Sequence, residues 1–160
     1  MSTLQPARLA PVPVHCEAVP EAPGATWSNA LRVGDELVMS GMTAHPATRE
    51  AAGGLSAYEQ TRVVLEKVRA LVEAAGGDIG CITRLVVYVT DIADKGEIGR
   101  ARREFFAERV GQGAPYPCST LVQVSGLVFP ELCVEIEACA RLDLAGAAIK
   151  SSDANKETRR

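Results

Sequence analysis

Two short stretches of the chain carry residue types able to do chemistry. Pro117-Cys118-Ser119-Thr120 opens a β-like run with a thiol, and Val134-Glu135-Ile136-Glu137-Ala138 sets two carboxylates at alternate positions of another. Side chains alternate between the two faces of a strand, so Glu135 and Glu137 share one face while Ile136 takes the other. Desolvating a carboxylate is expensive, and an acid inside an apolar strand needs either water or a designed environment. In such a place a carboxylate can take a proton from water and return it, as a general base and acid do. Glu135 is therefore a candidate site carboxylate, set against a plain interface role, and Glu137 reads as structural or partly solvated. Cys118 is a nucleophile only if a nearby cation lowers its pKa, and no histidine neighbours it in sequence; otherwise it is a small lining residue. Both readings of Cys118 stay open.

Other chemistries are poorly served. The two histidines, His15 and His45, stand thirty residues apart, and the five cysteines (Cys16, Cys81, Cys118, Cys133, Cys139) form an odd set without C-x-x-C spacing. Reduced thiols are expected, with no disulfide framework and no metal site. Net charge is −3 and the sequence pI about 5.5, without a dense basic stripe, so nucleic acid is not an expected partner. No apolar run approaches the roughly 20 residues that span a bilayer, and Met1-Ser2-Thr3-Leu4-Gln5-Pro6 lacks the charged and apolar regions of a signal peptide. The expectation is a soluble cytoplasmic protein with no membrane partner.

Elements must position these residues, and 160 residues with 47% hydrophobic content suffice for one core. Residues 1–24 hold five of the nine prolines and read as an extended segment with a possible edge strand near 12–18. Ala30-Leu31-Arg32-Val33, a turn at Gly34-Asp35, and Glu36-Leu37-Val38-Met39-Ser40 read as a hairpin. Ser56-Ala57-Tyr58-Glu59 is a capping-box signature, followed at helical spacing by Val64, Leu65, Val68, Leu71, Val72 and Ala75 up to Gly76-Gly77. A β-branched strand at 82–90 precedes a second helix, capped by Asp94-Lys95-Gly96-Glu97, carrying Ile98, Ala101, Phe105 and Val110 inward and closed by Gly111. Strands near 119–125 and 132–142 finish a domain at 25–144, and 145–160 reads as a solvated tail. The order β-β-α-β-α-β-β is that of an α+β layer fold, with two helices on one sheet face. The other face, with Gln123 and Ser125 on one strand and Glu135 and Glu137 on the next, suits a subunit interface containing wet clefts.

Residues 27–142 resemble the RidA or YjgF family of reactive-intermediate deaminases. The resemblance rests on Leu31-Arg32-Val33-Gly34-Asp35-Glu36-Leu37-Val38-Met39-Ser40-Gly41, on Glu59-Gln60-Thr61-Arg62, on Val87-Tyr88-Val89-Thr90-Asp91, and on the Cys118 and Glu135 stretches above. It implies a chorismate-mutase-like α+β subunit with a mixed sheet of about six strands, a homotrimer, and small-molecule clefts between subunits. In typical members an arginine clamps the carboxylate of an enamine or imine acid while a glutamate helps water add to the imine carbon, releasing ammonia and a 2-keto acid; no cofactor is involved. The glutamate maps onto Glu135, and Ser40-Gly41 borders the cleft. The arginine of the family's Pro-x-Arg-Ser pattern falls on Cys118, an aromatic cleft position on Trp27, and a helix asparagine on Gly99; Thr120 completes the expected substrate-binding set. Trp27 either packs at the interface or stacks on a planar substrate. A thiol cannot replace a guanidinium's paired hydrogen bonds, so ordinary 2-imino acids should bind poorly unless Arg32, Arg84, Arg102 or another basic side chain reaches the cleft. The leading expectation is a hydrolase or deaminase of small imines or enamines with an altered substrate range. The alternatives are a non-catalytic trimeric binding module and a Cys118-dependent enzyme on the same scaffold.

Overall fold

The computed structural model describes residues 9–51, 54–111 and 113–146. Its strands are β1 (Val12–Pro13), β2 (Ala30–Val33), β3 (Glu36–Thr43), β4 (Ile82–Val89), β5 (Cys118–Gln123) and β6 (Val134–Arg141), and its helices α1 (Ala47–Glu50), α2 (Ala57–Ala74), α3 (Lys95–Phe105) and α4 (Ala107–Gly111). The strands form one mixed sheet in the order β1-β2-β3-β6-β4-β5. Every pairing is antiparallel except β4 with β5, which the α3 crossover makes parallel. The α+β, chorismate-mutase-like expectation holds. The edge strand near 12–18 shrinks to two residues, and of the expected tail only Ala145 and Gly146 lie among the described residues.

Local chemistry explains the main elements. The Ser56 hydroxyl accepts the Glu59 N–H at 3.3 Å and the Glu59 carboxylate accepts the Ser56 N–H at 2.8 Å, so α2 starts on the capping box. The Ser56 N–H, and secondly the Ser56 hydroxyl, donating to the Glu59 carboxylate hold that carboxyl below its ordinary pKa. The helix stops where Gly76 takes φ +90°, a conformation a Cβ would disfavour. Val64, Leu65, Val68, Leu71 and Val72 of α2 are fully buried against Leu37, Leu85, Val87, Val134 and Ile136 of the sheet. No helix among the described residues is long and apolar enough to cross a membrane.

The second helix departs from expectation. It breaks at fully buried Phe106, whose N–H still bonds the Arg102 carbonyl at 3.0 Å, and resumes as α4. Asp94 holds the N-cap place without a side-chain bond; the carboxylate that caps here is Asp91, which accepts the Ala93 N–H of the preceding 3-10 turn at 2.8 Å. The Val110 side chain, expected inward, lies outside the described residues, whereas Arg109 is buried and donates to the Ile79 and Ile82 carbonyls at 3.2 and 2.7 Å.

Candidate functional site

Burial along β6 alternates strictly. Val134, Ile136, Ala138 and Ala140 face the helices, leaving Glu135, Glu137, Cys139 and Arg141 on the open face. Register extends that face to the neighbouring strands: Tyr88 lies opposite Glu135, Val86 opposite Glu137 and Arg84 opposite Cys139. On the far side of β4, Arg84 pairs with Cys118 and Val86 with Thr120. Arg84, Cys118, Thr120, Tyr88, Glu135 and Glu137 therefore share one surface in a single protomer. The expectation for Gln123 fails, because it pairs with Val89 on the helix side, and its side-chain oxygen accepts the Ile92 N–H at 3.2 Å; Ser125 lies beyond the strand.

On β3 a register shift between Met39 and Met42 sets Ser40 and Gly41 together against Glu137, an extra residue that re-aims the strand. The result is a close approach between Gly41 and Glu135. A Cβ at position 41 would overlap the Glu135 carboxylate, with the side-chain Cδ at 2.8 Å and Cγ at 3.0 Å. Glu135 is half-buried there, and no hydrogen-bond donor to its carboxylate is found among the described residues. Burial, and secondly the charge of Glu137, push its pKa up. A carboxylate with free lone pairs and a raised proton affinity is suited to taking a proton from a bound water.

Two polar side chains, buried Gln60 and half-buried Lys67, hold this arrangement, and neither was apparent as a site residue in the sequence. Gln60 donates to the Leu55 and Glu131 carbonyls and accepts the Cys133 N–H, each at 3.0 Å, pinning the entry to β6. Lys67 donates to the Thr43 and His45 carbonyls at 2.8 and 2.6 Å, pinning the exit of β3 where Thr43 stands opposite Glu135. Burial lowers the Lys67 pKa. A third missed residue, Tyr88, donates its hydroxyl to Glu137 at 3.1 Å.

The remaining candidates scatter. Ser40 borders Gly41, but its hydroxyl donates to the Ser28 carbonyl at 2.7 Å and is spent on structure. Trp27 is 54% exposed in the loop before β2. Gly99 sits on α3, which packs on α2 on the other side of the sheet from Glu135, so one protomer does not bring it to the open face. Counted from Pro117, moreover, the Pro-x-Arg-Ser pattern puts its arginine at Ser119, correcting the placement at Cys118. The two face opposite ways, since Ser119 pairs with helix-side Leu85, and neither is basic. Of the three arginines considered, Arg32 bonds the Gly34 carbonyl at 2.8 Å near Asp35, and Arg102 is desolvated on α3; Arg84 alone shares the face of Glu135. None of the hydrogen bonds or ion pairs among the described residues engages the Arg84 guanidinium.

All five cysteines are free. Burial raises the thiol pKa of Cys81 and Cys139 and takes Cys133 to about 11, so these three stay protonated. Cys118 is exposed at the start of β5. Among the described residues no group of three or more His, Cys, Asp or Glu could hold a metal ion.

A family model described as Endoribonuclease L-PSP matches residues 18–142. A crystal structure of PA3499 from Pseudomonas aeruginosa, described as a protein of unknown function, is 62% identical, with TM-score 0.80, covering 86% of this chain and 96% of that one. The 2-iminobutanoate/2-iminopropanoate deaminase of Escherichia coli is 32% identical over 128 residues, 79% of this chain and 94% of that protein. Escherichia coli TdcF, crystallised with bound serine, is 31% identical with TM-score 0.70, covering 81% of this chain and 98% of its own.

Proposed function

The chain belongs to the RidA/YjgF family, and on that footing we propose that it hydrolyses a small imine or enamine carrying an anionic group. The observation that carries this reading is the Glu135 carboxylate, half-buried against Gly41 with no protein donor to it among the described residues. Ionised Glu135 accepts a proton from water as the oxygen bonds the imine carbon and the C=N π electrons pass to nitrogen. Glu135 returns that proton to the nitrogen, giving a neutral carbinolamine, then takes the hydroxyl proton and passes it to the nitrogen as the C=O bond forms and the C–N bond breaks, releasing ammonia and the keto product. An enamine enters the same sequence after tautomerising to the imine.

Arg84 is the group we assign to the substrate's anion. Four residues of β4, about 13 Å, separate it from Tyr88, the residue opposite Glu135, so an anion held by its charge-assisted bonds over Cys118 would meet the Glu135 of a neighbouring copy. Bound serine in TdcF supports a ligand of amino-acid size. The family description names a ribonuclease, but on this face a single guanidinium without a partner among the described residues, with two carboxylates further along the sheet, offers little to a phosphate backbone, and the net charge is −3. The open face also carries exposed Val38 and Val122, which a second copy would cover; we assign a homotrimer with clefts between subunits, in which Trp27 and Gly99 of neighbouring copies can join Glu135. Five free thiols suit the reducing cytoplasm.

The test is release of ammonia and 2-keto acid from 2-aminoacrylate and 2-aminocrotonate, with sedimentation equilibrium giving three times the 16.9 kDa chain mass. Arg84→Met should raise KM for these acids by about 10–100-fold and leave uncharged imines unaffected, the range expected for losing one or two charged hydrogen bonds. No turnover across a broad imine panel, with tight binding retained, would favour the binding-module reading.

A further inference from the structure

We infer that Tyr88 and Glu137 form a positioning pair for Glu135, with Glu137 supplying a fixed neighbouring charge that decides when Glu135 holds its proton. The inference rests on the hydrolase reading and deepens it. Tyr88 is the β4 residue directly opposite Glu135, yet its hydroxyl reaches along the strand and donates to Glu137 Oε1 at 3.1 Å. Glu137 stands two residues along β6 on the same face, about 7 Å away along the strand. Two acids that look alike in the sequence thus differ in place: Glu135 is half-buried against Gly41, whereas Glu137 is exposed and holds a phenol.

The electrostatics agree with that geometry. The Glu137 charge adds to burial in pushing Glu135 up. The bond to Glu137 is the largest reason the Tyr88 phenol is raised, so the hydroxyl keeps its proton and remains the donor. Other groups on this face are few. Arg84 on β4 lowers the Tyr88 value, Cys139 follows Glu137 on β6, and β3 sets uncharged Gly41 and Thr43 beside Glu135; Glu36 and Arg141 face each other at the far end. In the hydrolase reading Glu135 must be ionised when water attacks and protonated when ammonia leaves. A neighbouring charge that moves its pKa toward neutral makes both states accessible.

The experiment follows the Glu135 carboxyl carbon by ¹³C NMR against pH in the full-length protein and its variants. Glu137→Gln should lower the midpoint by about half to one pH unit, the order of a like charge some 7 Å away in a partly hydrated site. Glu137→Asp keeps the charge and should keep most of the midpoint. Tyr88→Phe should shift the midpoint in the wild-type background and leave it unchanged in Glu137→Gln, because it acts only through Glu137. The acid limb of kcat/KM should move with each midpoint. An unchanged midpoint in Glu137→Gln overturns the pairing whatever happens to turnover. A moving midpoint alongside a fully active Glu135→Gln upholds the pairing and overturns the hydrolase reading alone.

Discussion

Within β6, the face turned to α2 and the face turned away are made from alternate residues of the same eight, and they obey different physics. Val134 and Ile136 on the helix side are sealed at 0% exposure among aliphatic partners, where close packing sets the stability. One residue away, Glu135 lies half-buried without a donor to it among the described residues, which is unfavourable for folding and useful for proton transfer. Stability and chemistry are thus separated by the strand's two-residue period rather than by distance along the chain.

The widest expected divergence between the faces comes from adjacent substitutions. Glu135→Gln should lower turnover by about 10²–10⁴-fold while the fold is retained. Ile136→Ala should do the reverse, removing about 2–5 kcal/mol of stability and roughly 5–15 °C of Tm, with kcat/KM per folded molecule little changed. Paired steady-state assays and thermal melts decide it, and a fully active Glu135→Gln protein would remove the proposed mechanism.

Gly41→Ala probes the contact that joins the two strands at the site. The new methyl must displace the Glu135 carboxylate, and a misplacement near 1 Å is expected to lower kcat by about 100-fold. The fold should tolerate it, since the displaced atoms end a flexible side chain. Equal activity in Gly41→Ala and wild type would show that the seat of Glu135 is immaterial.

Cys118 should matter less. It is exposed and its lateral neighbour Arg84 supplies a cation but no base, so Cys118→Ala is expected to change kcat/KM by less than about tenfold. A loss as large as that of Glu135→Gln, with a substrate adduct on the thiol by intact-mass spectrometry, would move the chemistry to Cys118.

The smallest expected effect is a pH-dependent gain in stability. The folded state holds the Glu135 proton more tightly than the unfolded chain, whose value is near 4.5. That contribution is fully present below the unfolded value and is lost as pH rises through the raised one. Glu135→Gln removes the loss, so its Tm should exceed that of wild type at about pH 7–8, with the gap closing near pH 4. A gap independent of pH would contradict the raised pKa.

Much of this was legible in the residues themselves. The capping box at Ser56 and Glu59, the helical spacing from Val64 to Val72, the Gly34-Asp35 hairpin and the alternation around Ile136 are local signals, because caps, turns and periodicity act within a few residues. They determined the α+β class, the helices on one face, and Glu135 and Glu137 on a shared face. What stood beside that face was decided by register between strands far apart in sequence. The extra residue at Ser40-Gly41 that seats Glu135, the lateral placement of Arg84 beside Cys118, the Tyr88 bond to Glu137, the anchoring by Gln60 and Lys67 and the break at Phe106 all arise there. A strand's period says which way a side chain points; only the folded sheet, by bringing distant segments into one register, says what it meets.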